Sequence, residues 1–419
     1  MTNALDFVLF LPVGNVNAIR IPFIVGVYAR KIYKLSGLLI HMPSKHVGEE
    51  LREIIKKVRD GTFEYENREQ AKTNWAKYDS AQIREMANYL NNLRDIVDEA
   101  DNRIKSRTIP KKRGPGRPET IPADIAKTLL LQTYTGSPNR IAEGLLLLFR
   151  EKLGISEHFS YKTIERGYDR KAVNKILDEV VAITNECVEN EEKTCSFDGT
   201  GFSASNKENY ADKRQKQNSK KSQKKSQPAN DDQSEDSFPI TNLTSNRGFS
   251  YCVMGIGVKY KLISGMYVSP DHSVGETTMF PETYFQTLRS YPNIENVLGD
   301  GIYAARWITD IVSKSNVTPY FLPRSNVTFQ SKGFAGWHDM LLSLWKDPQR
   351  WLEEYHMRSL SETVNSMVKC RFGTTLRKRL DPRKATETRL KLVAHDIRRI
   401  GYIEILNGIT PHWPRKGCS

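Results

Sequence analysis

Cysteine is scarce in this chain, and its few copies follow no metal-binding or disulfide pattern. The 419 residues include five cysteines, an odd number, scattered with no C-x-x-C pair. The eight histidines are equally dispersed, with no H-x-x-x-H spacing. These absences argue against a zinc module and a disulfide framework, and they are typical of a protein in a reducing cytosol.

A long uninterrupted apolar run is also missing. Residues 4–28 are rather apolar, but prolines, asparagines and an arginine interrupt them. The segment therefore matches neither the apolar core of a signal peptide nor a membrane span. We expect a cytoplasmic protein with no membrane partner, and 419 residues leave room for two or three domains.

Negative charge is in deficit. The chain has 63 Lys and Arg against 49 Asp and Glu, a formal net charge of +14. Such a balance favours an anionic polymer as partner, and DNA would make the protein nucleoid-associated. A surface that is basic without binding a polymer is the alternative.

The first third of the chain is read as a helical region followed by a linker. Residues 1–110 are predicted to be largely helical after 45, with an apolar heptad-like stripe from Ile83 to Ile104 that suits packing, dimerisation or DNA binding. Residues 111–122 form a basic linker rich in Pro and Gly. Within it Arg117, between Gly116 and Pro118, resembles the core of an AT-hook; a plain linker is the alternative.

Residues 123–190 are predicted to be wholly helical. A helix, a turn near Gly154 and a second helix beginning at Ser160 suit a helix-turn-helix that reads DNA. The second helix would present Lys162 and Arg166 to the DNA. An ordinary helical bundle explains the same pattern.

Strands enter from residue 191. The predicted order over 191–400 is strand–strand–strand–helix–strand–helix–strand–helix, which makes an α/β domain with a mixed five-stranded sheet. Residues 203–237 are charged and nearly free of apolar side chains, so we predict a disordered insertion between the first two strands. Residues 401–419 form a C-terminal tail.

A helical pattern near residue 360 carries a distinctive set of side chains. On one continuous helix, Tyr355, Arg358, Glu362 and Lys369 would fall within roughly 60° of one another. A carboxylate between cations and a phenol suits a phosphodiester held beside a divalent ion. A solvated face with an Arg358–Glu362 pair is the alternative.

Two further carboxylates stand beside glycine at strand positions. Asp198 precedes Gly199 in the first predicted strand, and Asp300 precedes Gly301 at the end of the fourth. Small neighbours leave room for ions and a phosphate, and Mg²⁺ prefers such hard oxygen ligands. Any one of these Asp-Gly pairs is more often a turn; three acids in this strand order favour a two-ion site.

Together these motifs resemble the DDE transposases of bacterial and archaeal insertion sequences, in their cut-and-paste branch. The Asp198-Gly-Thr and Asp300-Gly-x-Tyr motifs and the Y-x2-R-x3-E-x6-K helix carry the resemblance over about residues 193–400. It implies a ribonuclease-H-like catalytic domain in which Asp198, Asp300 and Glu362 bind two Mg²⁺ ions, with Mn²⁺ as a substitute. It also implies that Tyr355, Arg358 and Lys369 grip DNA.

The resemblance further implies double-stranded DNA partners, namely terminal inverted repeats and target DNA, and a homodimer in a synaptic complex. The 62 positions between Asp300 and Glu362 leave no room for the large insertion that some relatives carry there, which weakens the case for hairpin excision. Two other functions fit the same residues: a catalytically silent DNA-binding protein derived from a transposase, and a junction or repair nuclease.

Overall fold

The computed structural model describes residues 45–64, 73–109, 119–203, 249–269 and 274–414. Most of the predicted linker, including Arg117, and nearly all of the predicted insertion at 203–237 lie outside the described residues. Within the described part of the chain, no helix combines the length and apolar character needed to cross a membrane.

A mixed five-stranded sheet forms the centre of the second half. Its strands run in the order β3-β2-β1-β4-β5, with β1–β2 and β2–β3 antiparallel and β1–β4 and β4–β5 parallel. The bounds are β1 Thr194–Ser203, β2 Phe249–Gly257, β3 Ile263–Ser269, β4 Asn296–Gly299 and β5 Thr318–Phe321. The prediction of an α/β domain with a mixed five-stranded sheet is confirmed.

Alternating side chains on β1 fix which face meets which helix. Phe197 is fully buried, and its ring lies 4.8 Å from that of Phe280 on helix α8, Glu276–Ser290. Because successive strand residues point to opposite faces, Asp198 projects to the other side of the sheet. That side is covered by the helices that follow β5.

Among the described residues, five helices follow α8. They are α9 Arg306–Lys314, α10 Ala335–Lys346, α11 Pro348–His356, α12 Ser359–Phe372 and α13 Asp381–Asn407. The predicted boundary at residue 400 falls inside α13, so residues 401–407 continue this helix.

In the part of the chain that the structure describes, seven helices precede the sheet. They are α1 Lys45–Arg59, α2 Trp75–Ile83, α3 Glu85–Arg107, α4 Pro122–Thr135, α5 Asn139–Phe149, α6 Tyr161–Gly167 and α7 Lys171–Glu186. The apolar stripe of α3 is largely internal: Leu90, Leu93, Val97 and Ala100 are buried, whereas Ile83, in α2, is exposed. Packing within the chain, against α4, α7 and α13, accounts for most of the stripe.

Helix α13 joins the N-terminal helices to the sheet. It packs against α3, α4 and α7 on one side and β3 on the other. The buried Asp396 carboxylate accepts the Ile263 backbone N–H at 3.0 Å, and His395 Nε2 lies 3.0 Å from the Lys261 carbonyl. The conformation of Lys261, with φ 61°, closes the β2–β3 turn at this contact.

The single long helix predicted from Ser160 is wrong. The chain instead forms the seven-residue α6, a break at Tyr168–Arg170, and then α7. Eleven residues separate α5 from α6, whereas the turn of a helix-turn-helix has three or four. Lys162 and Arg166 are exposed on α6, one helical turn apart, and their contact with DNA stays a prediction.

Candidate active site

Asp198 lies within β1, and Asp300 directly follows the end of β4. The parallel pair β1–β4 aligns Phe197 with Gly299, and each aspartate is the next residue along the chain. Neighbouring strands are about 4.8 Å apart, so the two acids are direct neighbours. Asp300 begins a tight turn in which its Oδ1 accepts the Gly301 N–H at 2.6 Å.

The third predicted acid, Glu362, lies on α12, which packs against β1. Asn365, three residues beyond Glu362, donates from Nδ2 to Asp198 Oδ2 at 2.7 Å. The Ser196 hydroxyl, on the same face of β1 as Asp198, lies 3.5 Å from the Arg358 carbonyl. These contacts place the start of α12 directly above the two aspartates.

The one continuous helix predicted through the Tyr-Arg-Glu-Lys signature is wrong. Helix α11 ends at His356 and α12 begins at Ser359, with a turn at Met357 and Arg358 between them. Backbone bonds of the i→i+3 type tighten this turn, from Arg358 N to the Tyr355 carbonyl at 3.0 Å and from Ser361 N to the Arg358 carbonyl at 2.9 Å. The Ser361 hydroxyl also donates to the Arg358 carbonyl, at 2.8 Å.

The break separates the environments of the four signature residues. Tyr355 is only 6% exposed and stacks on Trp351, with ring centroids 5.2 Å apart. The Glu362 side chain, by contrast, is 61% exposed. Lys369 lies three turns along α12, with Nζ 5.9 Å from the centre of the Phe202 ring.

Arg358 is the electrostatic centre of the site. Its Nη1 lies 3.3 Å from Glu362 Oε1. Burial disfavours the guanidinium, yet the pKa of Arg358 is raised because four nearby acidic groups outweigh the burial. These groups are Tyr355, Asp300, Glu362 and Asp198.

Asp198 is the most buried of the three acids. Burial raises its pKa above the usual range for aspartate, while the Gly199 N–H and the Arg358 charge act in the opposite direction. The negative charges of Glu276 and Glu362 raise it further. The ionised form of Asp198 is therefore disfavoured, and a bound cation would stabilise it.

The donor set fits Mg²⁺ by its chemistry. Three carboxylates, hard oxygen ligands of the kind that Mg²⁺ prefers, lie near the Arg358 guanidinium. Among the residues that the structure describes, however, no three His, Cys, Asp or Glu side chains are assembled as a metal cluster. The three acids thus lie around Arg358, and the two-ion site stays a prediction.

A carboxylate that the sequence reasoning missed ties the two aspartate motifs together. Glu276, the first residue of α8, accepts the Tyr251 hydroxyl at Oε1 and the Tyr303 hydroxyl at Oε2, the latter at 3.1 Å. It also lies against Gly199, where a Cβ would come within 2.7 Å of Oε1. Glu276 therefore links the neighbour of Asp198 to the Tyr303 turn that begins at Asp300.

Arg59, at the end of α1, is a second residue that was missed. Its Nε and Nη2 donate to the Pro323 carbonyl at 3.1 and 2.9 Å, just after β5. A Cβ on Gly301 would lie 3.3 Å from its Nη2, so the guanidinium borders the turn after Asp300. The first described helix thus delivers a cation to the edge of the site.

Comparison with known proteins points in the same direction as the geometry. The chain is 26% identical over 298 residues to the probable transposase for insertion sequence element ISA1214 of Archaeoglobus fulgidus. The aligned part covers 70% of this chain and 79% of the relative. This chain is similar to an insertion-sequence transposase. No family model matches it.

The similarity extends well beyond the sheet. A stretch of 298 residues is longer than the predicted catalytic domain of 191–400, so the alignment takes in residues outside it. The individual roles of the site residues rest on the geometry described above.

Proposed function

We propose that the protein is a DNA transposase of the DDE type with a ribonuclease-H-like catalytic domain. It would bind the terminal inverted repeats of its element, cleave at the ends and transfer strands to target DNA. The observation that carries the proposal is the register of β1 and β4, which makes Asp198 and Asp300 neighbours beneath the helix that bears Glu362. The similarity to an insertion-sequence transposase supports it.

In this proposal Asp198, Asp300 and Glu362 hold two Mg²⁺ ions, with Mn²⁺ as a substitute. When bound, the ions would activate water and stabilise the attacking and leaving oxygens of an in-line displacement. Asn365 orients Asp198 through its 2.7 Å hydrogen bond. Glu276 holds the two aspartate motifs at a fixed separation through its two tyrosine partners.

Arg358 and Lys369 would meet the DNA, and Tyr355 would support them. Arg358 is close enough to all three acids to bind a phosphate placed among them, and its planar guanidinium suits bidentate contact. The ring of Tyr355 lies 5.9 Å from the Arg358 guanidinium carbon, so the buried phenol braces the cation. Only its hydroxyl edge would be left to reach a phosphate.

Replacing Arg358 with Ala is expected to weaken binding to end DNA and to lower the salt slope of binding by about one unit. Each phosphate neutralised by a cation contributes about 0.9 to that slope. Fluorescence anisotropy over a salt series measures it. Arg289→Ala, an exposed arginine on α8 across the sheet, is the matched control. An unchanged slope in Arg358→Ala would remove this residue from the phosphate contacts.

The proposed function is tested with the genomic DNA that flanks the reading frame. Purified protein is incubated with duplexes that carry the flanking inverted repeats, a supercoiled plasmid target and Mg²⁺. We expect nicking at the repeat ends and joining of the ends to the plasmid. Binding without cleavage would indicate a catalytically silent DNA-binding protein, and cleavage of branched DNA without joining would indicate a junction nuclease.

A further inference from the structure

A cleft outside the catalytic centre lies between the N-terminal helices and the segment that follows α12. Its volume is about 520 Å³. One wall comes from the α4–α5 connection and from α6, and the other from residues 372–391. None of the residues that line this cleft has a role in the catalysis proposed above.

The cleft begins where the signature helix ends. Phe372, the last residue of α12, lines it, and Ser203 at the end of β1 is bonded to both sides of Thr375. Ser203 N donates to the Thr374 carbonyl at 3.0 Å, and Leu376 N donates to the Ser203 carbonyl at 2.8 Å. The wall of the cleft is therefore anchored to the strand that carries Asp198.

Two arginines on this wall are exposed. Residues 376–379 form no regular helix or strand; Leu376 and Lys378 are buried, and Arg377 and Arg379 are exposed in alternation. Both arginines line the cleft.

The carboxylates of the cleft are already engaged by other groups. Glu387 accepts the backbone N–H groups of Arg377 and Lys378 at 3.0 and 2.9 Å, which fixes the backbone of this segment. Glu165 pairs with Lys378 and Arg383. Within the described ranges, no carboxylate forms an ion pair with the side chain of Arg377 or Arg379.

The buried Lys391 lies in the same lining. Its Nζ donates to the carbonyls of Gly373 and Thr375 at 2.9 and 2.8 Å. Burial lowers its pKa to about 8; the charge of Glu387 opposes this shift and the charge of Arg377 adds to it. Arg377 and Arg379, which form no ion pair among the described residues, are therefore the cations of the cleft that are left to bind an anion.

We propose that this cleft binds the sugar-phosphate backbone of the DNA that leaves the catalytic centre, with Arg377 and Arg379 as the phosphate ligands. The inference rests on the proposed function and extends its DNA contacts. From Glu362 to Phe372 α12 rises about 15 Å, which equals about four base pairs of DNA. If the DNA runs parallel to α12, the contacted phosphates would lie about four base pairs from the scissile position.

The test is a salt titration of DNA binding without divalent ions, so that it does not depend on cleavage. The probe is a 30-base-pair duplex of the flanking genomic repeat. Arg377→Ala/Arg379→Ala is expected to lower the salt slope by about 1.8 units, 0.9 for each lost contact. Arg377→Lys/Arg379→Lys keeps the charges and is expected to keep the slope. Arg289→Ala/Lys346→Ala removes two exposed cations outside the cleft and is the matched control.

A second measurement places the contact on the DNA. Neutral methylphosphonate linkages introduced about four base pairs from the cleavage position should weaken binding by the wild type and leave the Arg377→Ala/Arg379→Ala protein unaffected. A slope change no larger than that of the control pair, or equal methylphosphonate effects in both proteins, would overturn the proposal. If the salt slopes and the methylphosphonate effects come out as expected but the wild type does not cleave repeat ends in Mg²⁺, the proposed function is overturned and the cleft proposal is not.

Discussion

Purified Asp198→Asn protein is expected to bind end DNA like the wild type and to cleave it at least about a thousandfold more slowly. The amide keeps the size of the side chain but loses the charge that would hold a divalent ion beside Asp300. DNA affinity should be retained because the phosphate contacts come from Arg358 and from the basic cleft. Cleavage of a labelled duplex in Mg²⁺ and anisotropy without Mg²⁺ measure the two effects separately.

The same variant should be at least as stable as the wild type when no divalent ion is present. Burial raises the pKa of Asp198, so the folded state binds a proton more tightly than the unfolded chain does. The stability of the wild type therefore falls as the pH rises from the ordinary aspartate range through the raised pKa of this group. A neutral amide does not incur that loss at neutral pH.

Adding Mg²⁺ should raise the melting temperature of the wild type and leave that of Asp198→Asn nearly unchanged, because a ligand stabilises only the state that binds it. Asp339→Asn, at an exposed aspartate outside the site, is the control and should respond like the wild type. Undiminished cleavage by Asp198→Asn, or an equal Mg²⁺ response, would contradict the assignment of Asp198 to the ion site.

The strands were predictable because their signals are local. Apolar and polar residues alternate from Cys195 to Asp198, and the glycines after Asp198 and Asp300 mark both motifs within a few positions. Parallel register then brings the two acids together without further information. The strands required only periodicity and sequence order, whereas the ion-binding role of the acids comes from the family resemblance and stays a prediction.

The break at Met357–Arg358 could not be predicted in the same way. Residues 348–372 have helical spacing throughout, and neither Gly nor Pro marks the interruption. The turn is stabilised by i→i+3 backbone bonds and by a hydroxyl of Ser361. A serine within a helix is common, so these bonds leave no distinctive pattern in the sequence.

Glu276 and Asn365 were missed because their roles depend on contacts between distant residues. Asn365 meets Asp198 across 167 positions, and Glu276 meets Tyr251 and Tyr303 across 25 and 27. Each is an ordinary polar residue on a helix by its own sequence. The one available signal was Tyr303 in the Asp300-Gly-x-Tyr motif, which needs a hydrogen-bond partner when buried.

Replacing Gly199 with Ala is expected to reduce cleavage on the order of 100-fold, although no proposed ligand or DNA contact is changed. A Cβ there would lie 2.5 Å from the Tyr251 hydroxyl and 2.7 Å from Glu276 Oε1, closer than real Cβ contacts. β1 is held by β2 and β4 on both sides, so the tyrosine and the glutamate must move. A displaced Glu276 no longer fixes Tyr303 and the turn after Asp300, and errors near 1 Å cost about 100-fold.

Gly201→Ala supplies the matched control on the same strand. A Cβ at Gly201 would meet its nearest atom, in the Tyr251 ring, at 3.5 Å, an ordinary contact. We therefore expect near-normal cleavage from Gly201→Ala.

Tyr303→Phe removes one of the two hydroxyls that hold Glu276 and should give a smaller loss than Gly199→Ala. Combining Gly199→Ala with Tyr251→Phe removes the hydroxyl that lies closest to the added Cβ. Part of the cleavage activity should therefore return in the double variant. Such non-additivity is expected when two residues belong to one network of contacts. Equal cleavage by Gly199→Ala and Gly201→Ala would show that the Glu276 link does not position the acids.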